Sequence, residues 1–349
     1  MRRFRAELYT AAFGYVGFGP VSSYELNNDY LTAERSEFVI PKVIKPTIKG
    51  YLILKEGASQ IYAGIVESYS VDEGATTITC APLISLLDYD AFLNYSTLKS
   101  VTIEQAIADT LTATYAGSDS VQNLTGFSAT YEAVNSDPEF TQEQINNLYE
   151  FCLNALRRYL VVVSFDVDVP NSAITAHVGH VDTNSQWSIK ASVADVIDCE
   201  IVVDSLKTSL NKIKYYDLAD YTNTVTYYLH TDGTIDSDGS SDRITPVIYA
   251  ERTSEATTFD NVTFTFAQTA KSDANQSMGV SAYDNEIRMT VNEKSKLFSI
   301  GNIGQIYIIY DEQGAQYESI LTGTRYTADT PPELVFGMIR TSLTSKIKF

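Results

Sequence analysis

The chain has 349 residues, 44% of them hydrophobic and 20% charged, a globular balance that argues against disorder and a length too great for one compact core. Forty-four acidic residues against 25 basic ones give a formal charge of −19 and a pI near 4.5. Such a surface repels a phosphate backbone, which disfavours stable nucleic-acid binding through counterion release but suits a wall that nucleic acid slides past without sticking.

The start places Arg2, Arg3 and Arg5 ahead of small and aromatic residues, in the manner of a secretion signal. Glu7 and the glycines Gly14, Gly17 and Gly19 interrupt any apolar region, so export by this route is not expected. Nowhere do eighteen apolar residues run together, so no membrane span is expected.

Residues 1 to about 97 alternate as strands: FRAELYT, SSYEL, SEFVI, TIKGYLILK, QIYAGIVESYSV and TTITCAPL. Gly, Pro, Asn and Asp punctuate them at short intervals, which predicts an antiparallel barrel or sandwich. The character changes at SVTIEQAIADTLTATYAG. Thr102 with Gln105 forms a capping box, and Ile103, Ala106, Ile107 and Leu111 lie on one helical face. A second box, Thr141 with Gln144, predicts a helix whose stripe is Ile145, Leu148, Cys152, Ala155, Leu156 and Tyr159, running into the strand LVVVSFDVDV. Strands resume in DCEIVVDSLK and NKIKYYD. A polar hairpin follows in TVTYYLHTDGTI, with Asp232-Gly233 as a two-residue turn signal, and then a short helix in AQTAKSDANQSMGV.

One pattern occurs twice. GYLILKEGASQIYAGIVESYSV at 50 to 71 is echoed by GQIYIIYDEQGAQYESILTGTRYT at 304 to 327: a glycine, a strand, a short polar turn and a returning strand. The turns are Lys55-Glu56-Gly57 and Asp311-Glu312-Gln313-Gly314. Each copy leads into a further alternating strand, which points to a duplicated unit.

Chemistry is harder to find. The sequence has no nucleophile elbow, zinc-protease helix, phosphate-binding glycine loop or dinucleotide fingerprint. His177 and His180 are the nearest thing to a metal pair, but residues three apart on a strand point to opposite faces. His230 is expected to flank a hairpin turn. Asp232, Asp236, Asp238 and Asp242 cluster in one loop, yet their spacing misses the calcium-loop pattern, and Asp, Ser and Gly are ordinary turn residues. Cys80, Cys152 and Cys199 sit among apolar neighbours as small hydrophobes, with no disulfide framework. The 24 tyrosines are expected to pack half-buried on strands. No catalytic, cofactor or metal residue is therefore assigned.

The order of segments, through NKIKYYDLADYTNTVTYYLHTDGTI and NEIRMTVNEKSKLFSIGNIGQIYIIY to the closing ILTG and FGMIRTSLT stretches, resembles the tail-hub proteins of long-tailed bacteriophages of Gram-positive bacteria. These are the N-terminal structural modules of tail-associated lysins, and APLISLLDYD at 81 to 90 is similar to the close of that family's first barrel. The resemblance implies a mainly β, α+β fold of two related β-barrels. Its divisions would be a first barrel over 1–97, an α/β domain over 98–190, a second barrel over 191–217 and 283–349, and a small inserted domain over 218–282. It further implies a homotrimeric ring, two barrels per chain matching a hexameric tail ring, that closes the tail tip in the virion and opens for DNA ejection. Its implied partners are the distal tail ring protein, the tape-measure protein and receptor-binding proteins, with DNA passing but not bound. Longer relatives append lytic or host-binding domains; the end at Phe349 argues for a structural part and not an enzyme. The alternatives from other classes are a host-glycan adhesin and a peptidoglycan hydrolase housed in 98–190.

Overall fold

The computed structural model describes residues 3–92, 102–119, 121–134, 145–181, 186–202, 210–231, 233–239, 247–259, 262–278, 283–293, 295 and 303–340. The fold is mainly β, with large antiparallel pairings and three helices among these residues.

The first stretch gives β1 (Phe4–Tyr9), β2 (Tyr15–Pro20), β3 (Ser23–Asp29), β4 (Ser36–Ile40), β5 (Tyr51–Glu56), β6 (Ser59–Asp72) and β7 (Ala75–Pro82). They pair in the order β3-β4-β7-β6-β5-β1-β2, all antiparallel, and a 3-10 turn over Leu83–Leu87 closes the run. Alternation builds the interior here: Phe38, Ile40, Leu52, Leu54 and Ile78 face one fully buried core.

After β8 (Asp90–Phe92) comes α1 (Ile103–Tyr115), capped by the Thr102 hydroxyl, which accepts from the Gln105 amide at 3.2 Å. Its predicted face, Ile103, Ala106, Ile107 and Leu111, is buried. It packs on a three-stranded sheet of β9 (Phe127–Tyr131), β11 (Val161–Asp168) and β12 (Ala173–His180).

The second helix differs from expectation. Ile145 lies in a short strand, β10 (Ile145–Asn147), paired with β8, and α2 (Leu148–Tyr159) starts only after it. Asn147 is the cap, its side-chain oxygen accepting from Glu150 N–H at 3.1 Å, and Thr141 and Gln144 lie outside the described residues. Asn caps as well as Thr and sits nearer the buried stripe of Leu148, Cys152, Ala155 and Leu156, so burial decides between the two starts.

Then follow β13 (Gln186–Lys190), β14 (Val196–Val202), β15 (Lys212–Asp217), β16 (Thr224–Leu229), β17 (Ile235–Asp236) and β18 (Tyr249–Ser254). The last four form a separate sheet, ordered β17-β16-β15-β18. A hairpin of β19 (Thr257–Phe259) and β20 (Val262–Phe264) leads to α3 (Phe266–Met278), whose Phe266, Ala270, Ala274 and Met278 pack with Ile213, Tyr215 and Leu229 of that sheet in a small core of their own. The turn after β16 closes His230 to Thr234, with Gly233 left-handed at φ 86°. It is a three-residue loop and not the two-residue turn expected from Asp232-Gly233; Asp232 itself lies outside the described residues.

The chain ends in β21 (Glu286–Val291), β22 (Ile306–Tyr310), β23 (Gln316–Thr327) and β24 (Glu333–Phe336). Their order with the earlier strands, β14-β21-β24-β23-β22-β13, mirrors β3-β4-β7-β6-β5-β1, except that β13 runs parallel to β22 where β1 runs antiparallel to β5. β3 joins the two sets by pairing with β23, which makes one continuous 13-stranded sheet.

Candidate functional site

The duplication is real and can be aligned residue by residue. β6 carries a bulge between Val66 and Ser68 where it leaves β5 for β7; β23 carries one between Leu321 and Gly323 where it leaves β22 for β24. The extra residues, Glu67 and Thr322, are therefore equivalent. The lead-in to each first strand matches too. Lys49 N–H donates to the Val66 carbonyl and Val66 N–H to Gly50; Gly304 N–H donates to Leu321 and Leu321 N–H to Gln305, all at 2.8 Å. Lys49 and Gly304 both have left-handed φ, 63° and 93°. Gly304 thus corresponds to Lys49, one place before the Gly50 with which the sequence pattern aligned it. The hairpins differ at their tips, since Glu56 pairs Ser59 across two residues, with a register shift between Leu54 and Lys55, while Asp311 closes on Ala315 across three.

The candidate site this creates is a joint between the two repeats. The far half of β23 receives β3, with Gly323 opposite Asp29 and Tyr326 opposite Leu26. Leu26 and Tyr326 are fully buried there. Tyr326 meets Tyr24 and Phe4 with ring centroids 5.2 and 5.8 Å away, and its hydroxyl donates to Glu293 at 2.9 Å. Burial, helped by those acidic and phenolic neighbours, pushes the Tyr326 hydroxyl well above its ordinary pKa.

Charge locks the rim. Arg340 Nε donates to Asp29 at 2.8 Å, Nη2 to the Thr322 hydroxyl at 2.8 Å, and Nη1 to the carbonyls of Gly337 and Ile339. Arg325 pairs with Glu25 on the outer side. A Cβ on Gly323 would stand 2.9 Å from the Asp29 carboxylate and 3.3 Å from Arg340 Nη2, so glycine leaves room for that ion pair.

Tyr30, just after β3, ties the joint to the α/β unit. Its buried hydroxyl accepts from Val163 N–H at 3.2 Å, its carbonyl accepts from Tyr149, and it packs with Leu156, Ile306 and Ile320. Arg157 of α2 reaches Asp284 at 2.8 Å, and β13 lies against β22.

The sequence-predicted candidates fall elsewhere. His177 contacts Asp166 at 3.2 Å and the Thr130 hydroxyl at 2.9 Å, whereas His180 meets the Val181 carbonyl, so the two rings have separate partners. His230 is buried beside Asp236 at 2.9 Å, and Asp236 also accepts from the Asp238 amide. Asp232 and Asp242 lie outside the described residues, among which no three His, Cys, Asp or Glu side chains are grouped to hold a metal. Cys80 and Cys152 are buried with thiols raised by desolvation, and Cys199 is half-buried. Among the described residues no helix is long and apolar enough to cross a membrane. Sequence reasoning misses the joint itself because β-strand partners about 300 residues apart leave no local signal; the repeat is the only pointer.

No protein-family model and no curated protein matches the chain. Solved structures do. A tail protein from Neisseria meningitidis MC58 superposes with a TM-score of 0.56 at 13% identity, covering 96% of each chain. The 43 kDa tail protein of prophage MuSo2 from Shewanella oneidensis gives 0.57 at 12% identity, covering 97% of this chain and 98% of that one. The chain has a phage tail-protein fold. A component of the phage P2 baseplate in its activated conformation also matches, with a TM-score of 0.53 at 12% identity over 98% of this chain and all of the other.

Proposed function

We propose that this chain is a structural hub of a phage tail tip: three copies form a ring at the end of the tail tube that closes it and opens for DNA ejection. The observation that carries the reading is the duplicated meander joined edge to edge. Two equivalent units per chain give a threefold ring six near-equivalent units, which lets it seat on a sixfold tube. The overlap with tail and baseplate folds over nearly the whole chain supports it. The excess of acidic residues suits a lumen past which DNA slides.

In this reading the chain belongs to the hub modules of phages of Gram-positive bacteria, and its partners are the distal tail ring, the tape-measure protein and receptor-binding proteins. It is an architectural part, not a hydrolase. The test is mass by light scattering combined with electron-microscope class averages, alone and with a hexameric distal tail ring. A threefold particle of three times 38.6 kDa, seated on the ring, is expected. A chain that stays monomeric with and without that ring, or that releases fragments from peptidoglycan, overturns the reading.

A further inference from the structure

The internal joint has a counterpart that one chain leaves unmade. From the matched bulges, Ser68, Tyr69, Ser70, Val71 and Asp72 of β6 occupy the places of Gly323, Thr324, Arg325, Tyr326 and Thr327 of β23. In β23 this run receives β3. In β6 the same edge carries no strand among the described residues. Exposure follows the difference: Thr324 and Tyr326 are 2% and 1% exposed, but Tyr69 and Val71 are 38% and 44% exposed.

A matching strand exists at the other end of the molecule. β14 pairs with β21, and β21 with β24, as β3 pairs with β4 and β4 with β7; carried through these registers, Tyr24, Glu25 and Leu26 correspond to Cys199, Glu200 and Ile201. Cys199 and Ile201 pack on the main core as Tyr24 and Leu26 do. β14 is the last strand of the sheet, with no strand on its outer edge among the described residues. An open edge of this kind is a template for another chain.

We propose that β14 of one copy adds, antiparallel, to the Ser68–Asp72 end of β6 in the next copy, with Ile201 opposite Val71 as Leu26 stands opposite Tyr326. The inference rests on the ring reading and names its contact. The contact is head to tail, so three copies close with six joints, three within chains and three between them. The new seam is the weaker kind. Ser70 stands where Arg325 supplies the partner of Glu25, and Asp72 falls opposite Glu200, a like-charge pair.

The test uses the whole chain with Cys199→Ser and paired cysteines at Val71→Cys and Ile201→Cys. Mild oxidation is expected to give a covalent closed trimer, and the mis-registered pair Val71→Cys with Asp198→Cys to give little. Val71→Lys, at a position exposed in the single chain, is expected to reduce the mass from three chains to one, with a melt that stays cooperative and matches the parent chain diluted to monomers. Ser70→Arg is expected to give Glu200 the diagonal cation that Arg325 gives Glu25 and to lower the trimer dissociation constant several-fold. Trimers that resist Val71→Lys and fail to cross-link overturn the seam and leave the ring standing. Cross-linking into open chains in place of closed trimers upholds the seam and overturns the ring. Monomers at every concentration, with no cross-link, overturn the seam as a contact the chain makes by itself.

Discussion

The two repeats share a backbone and differ in what covers the second half of the middle strand. In β23 that half is paired with β3, and the sequence there is Gly-Thr-Arg-Tyr-Thr, with a glycine that leaves room for the Asp29–Arg340 pair, an arginine for the rim and a tyrosine for the core. In β6 it is Ser-Tyr-Ser-Val-Asp, and no strand among the described residues pairs with that edge. One backbone design thus carries two surface chemistries, one for a strand of the same chain and one for which we propose a second copy of the chain. The largest expected effect tests this asymmetry. Tyr326→Ala should cost about 3–5 kcal/mol by denaturant unfolding, while Val71→Ala in the monomer stays within about 0.5 kcal/mol. Equal losses at the two positions would break the comparison.

The bulge residues sharpen it. Thr322 is held by Arg340, which also neutralises Asp29 in a half-closed site and satisfies two carbonyls. Arg340→Leu leaves the Asp29 carboxylate without its cation, although Leu31 N–H still donates to it and the Thr322 hydroxyl to Gly337, and should cost roughly 1–3 kcal/mol. Glu67, at the equivalent place, is met by an exposed Arg35, and Arg35→Leu is expected to leave the melting temperature unchanged. The left-handed residues that precede the first strands should respond with opposite signs. Gly304→Ala forces a Cβ into φ 93° and should cost about 1–2 kcal/mol; Lys49→Gly relieves the same conformation at 63° and should stabilise the chain slightly. Thermal melts of this pair of variants decide whether Lys49 and Gly304 hold equivalent places.

What is legible in the sequence follows from the range of the forces involved. Period-two alternation marks most strands of the first repeat, and Thr102 with Gln105 marks the start of α1, because those signals lie within a few residues. β2 escapes such a reading: its YVGFGP has too little alternation and too much glycine to read as a strand, although β1 pairs along it. The α2 start differs because Asn147 competes with Thr141 as a cap, and only the packed structure shows the helix beginning at the buried Leu148. The hairpin echo is visible as a pattern, but its registration needs the hydrogen bonds of Lys49 and Gly304. The candidate site is the least legible part. A joint between β3 and β23 is a long-range pairing that neither strand announces, whereas the histidines that stand out by chemistry bond within their own sheets, His177 to Thr130 and Asp166 and His230 to Asp236.

The repeats differ also beyond their first strands, and the smallest effect is expected there. β1 places Glu7 under Lys55 at 2.8 Å, the Tyr9 hydroxyl at 2.9 Å and Arg5, whereas β13 brings no such carboxylate to β22. Burial works to raise the Glu7 pKa, but the donors from Lys55, Tyr9 and Arg5 outweigh it and hold the carboxyl below its ordinary value of 4.5. A carboxylate depressed in the folded state binds protons less readily than in the unfolded chain. Its contribution is therefore present above the ordinary value and is lost as pH falls through the lower, folded one. Glu7→Gln should cost about 1–3 kcal/mol at pH 7, and the gap from the parent chain should narrow as pH drops below about 4. Denaturant midpoints at pH 7, 5 and 3 measure it. A gap that stays constant with pH would mean that the charge on Glu7 does not hold the β1–β5 flank, and that the two repeats are anchored there by packing alone.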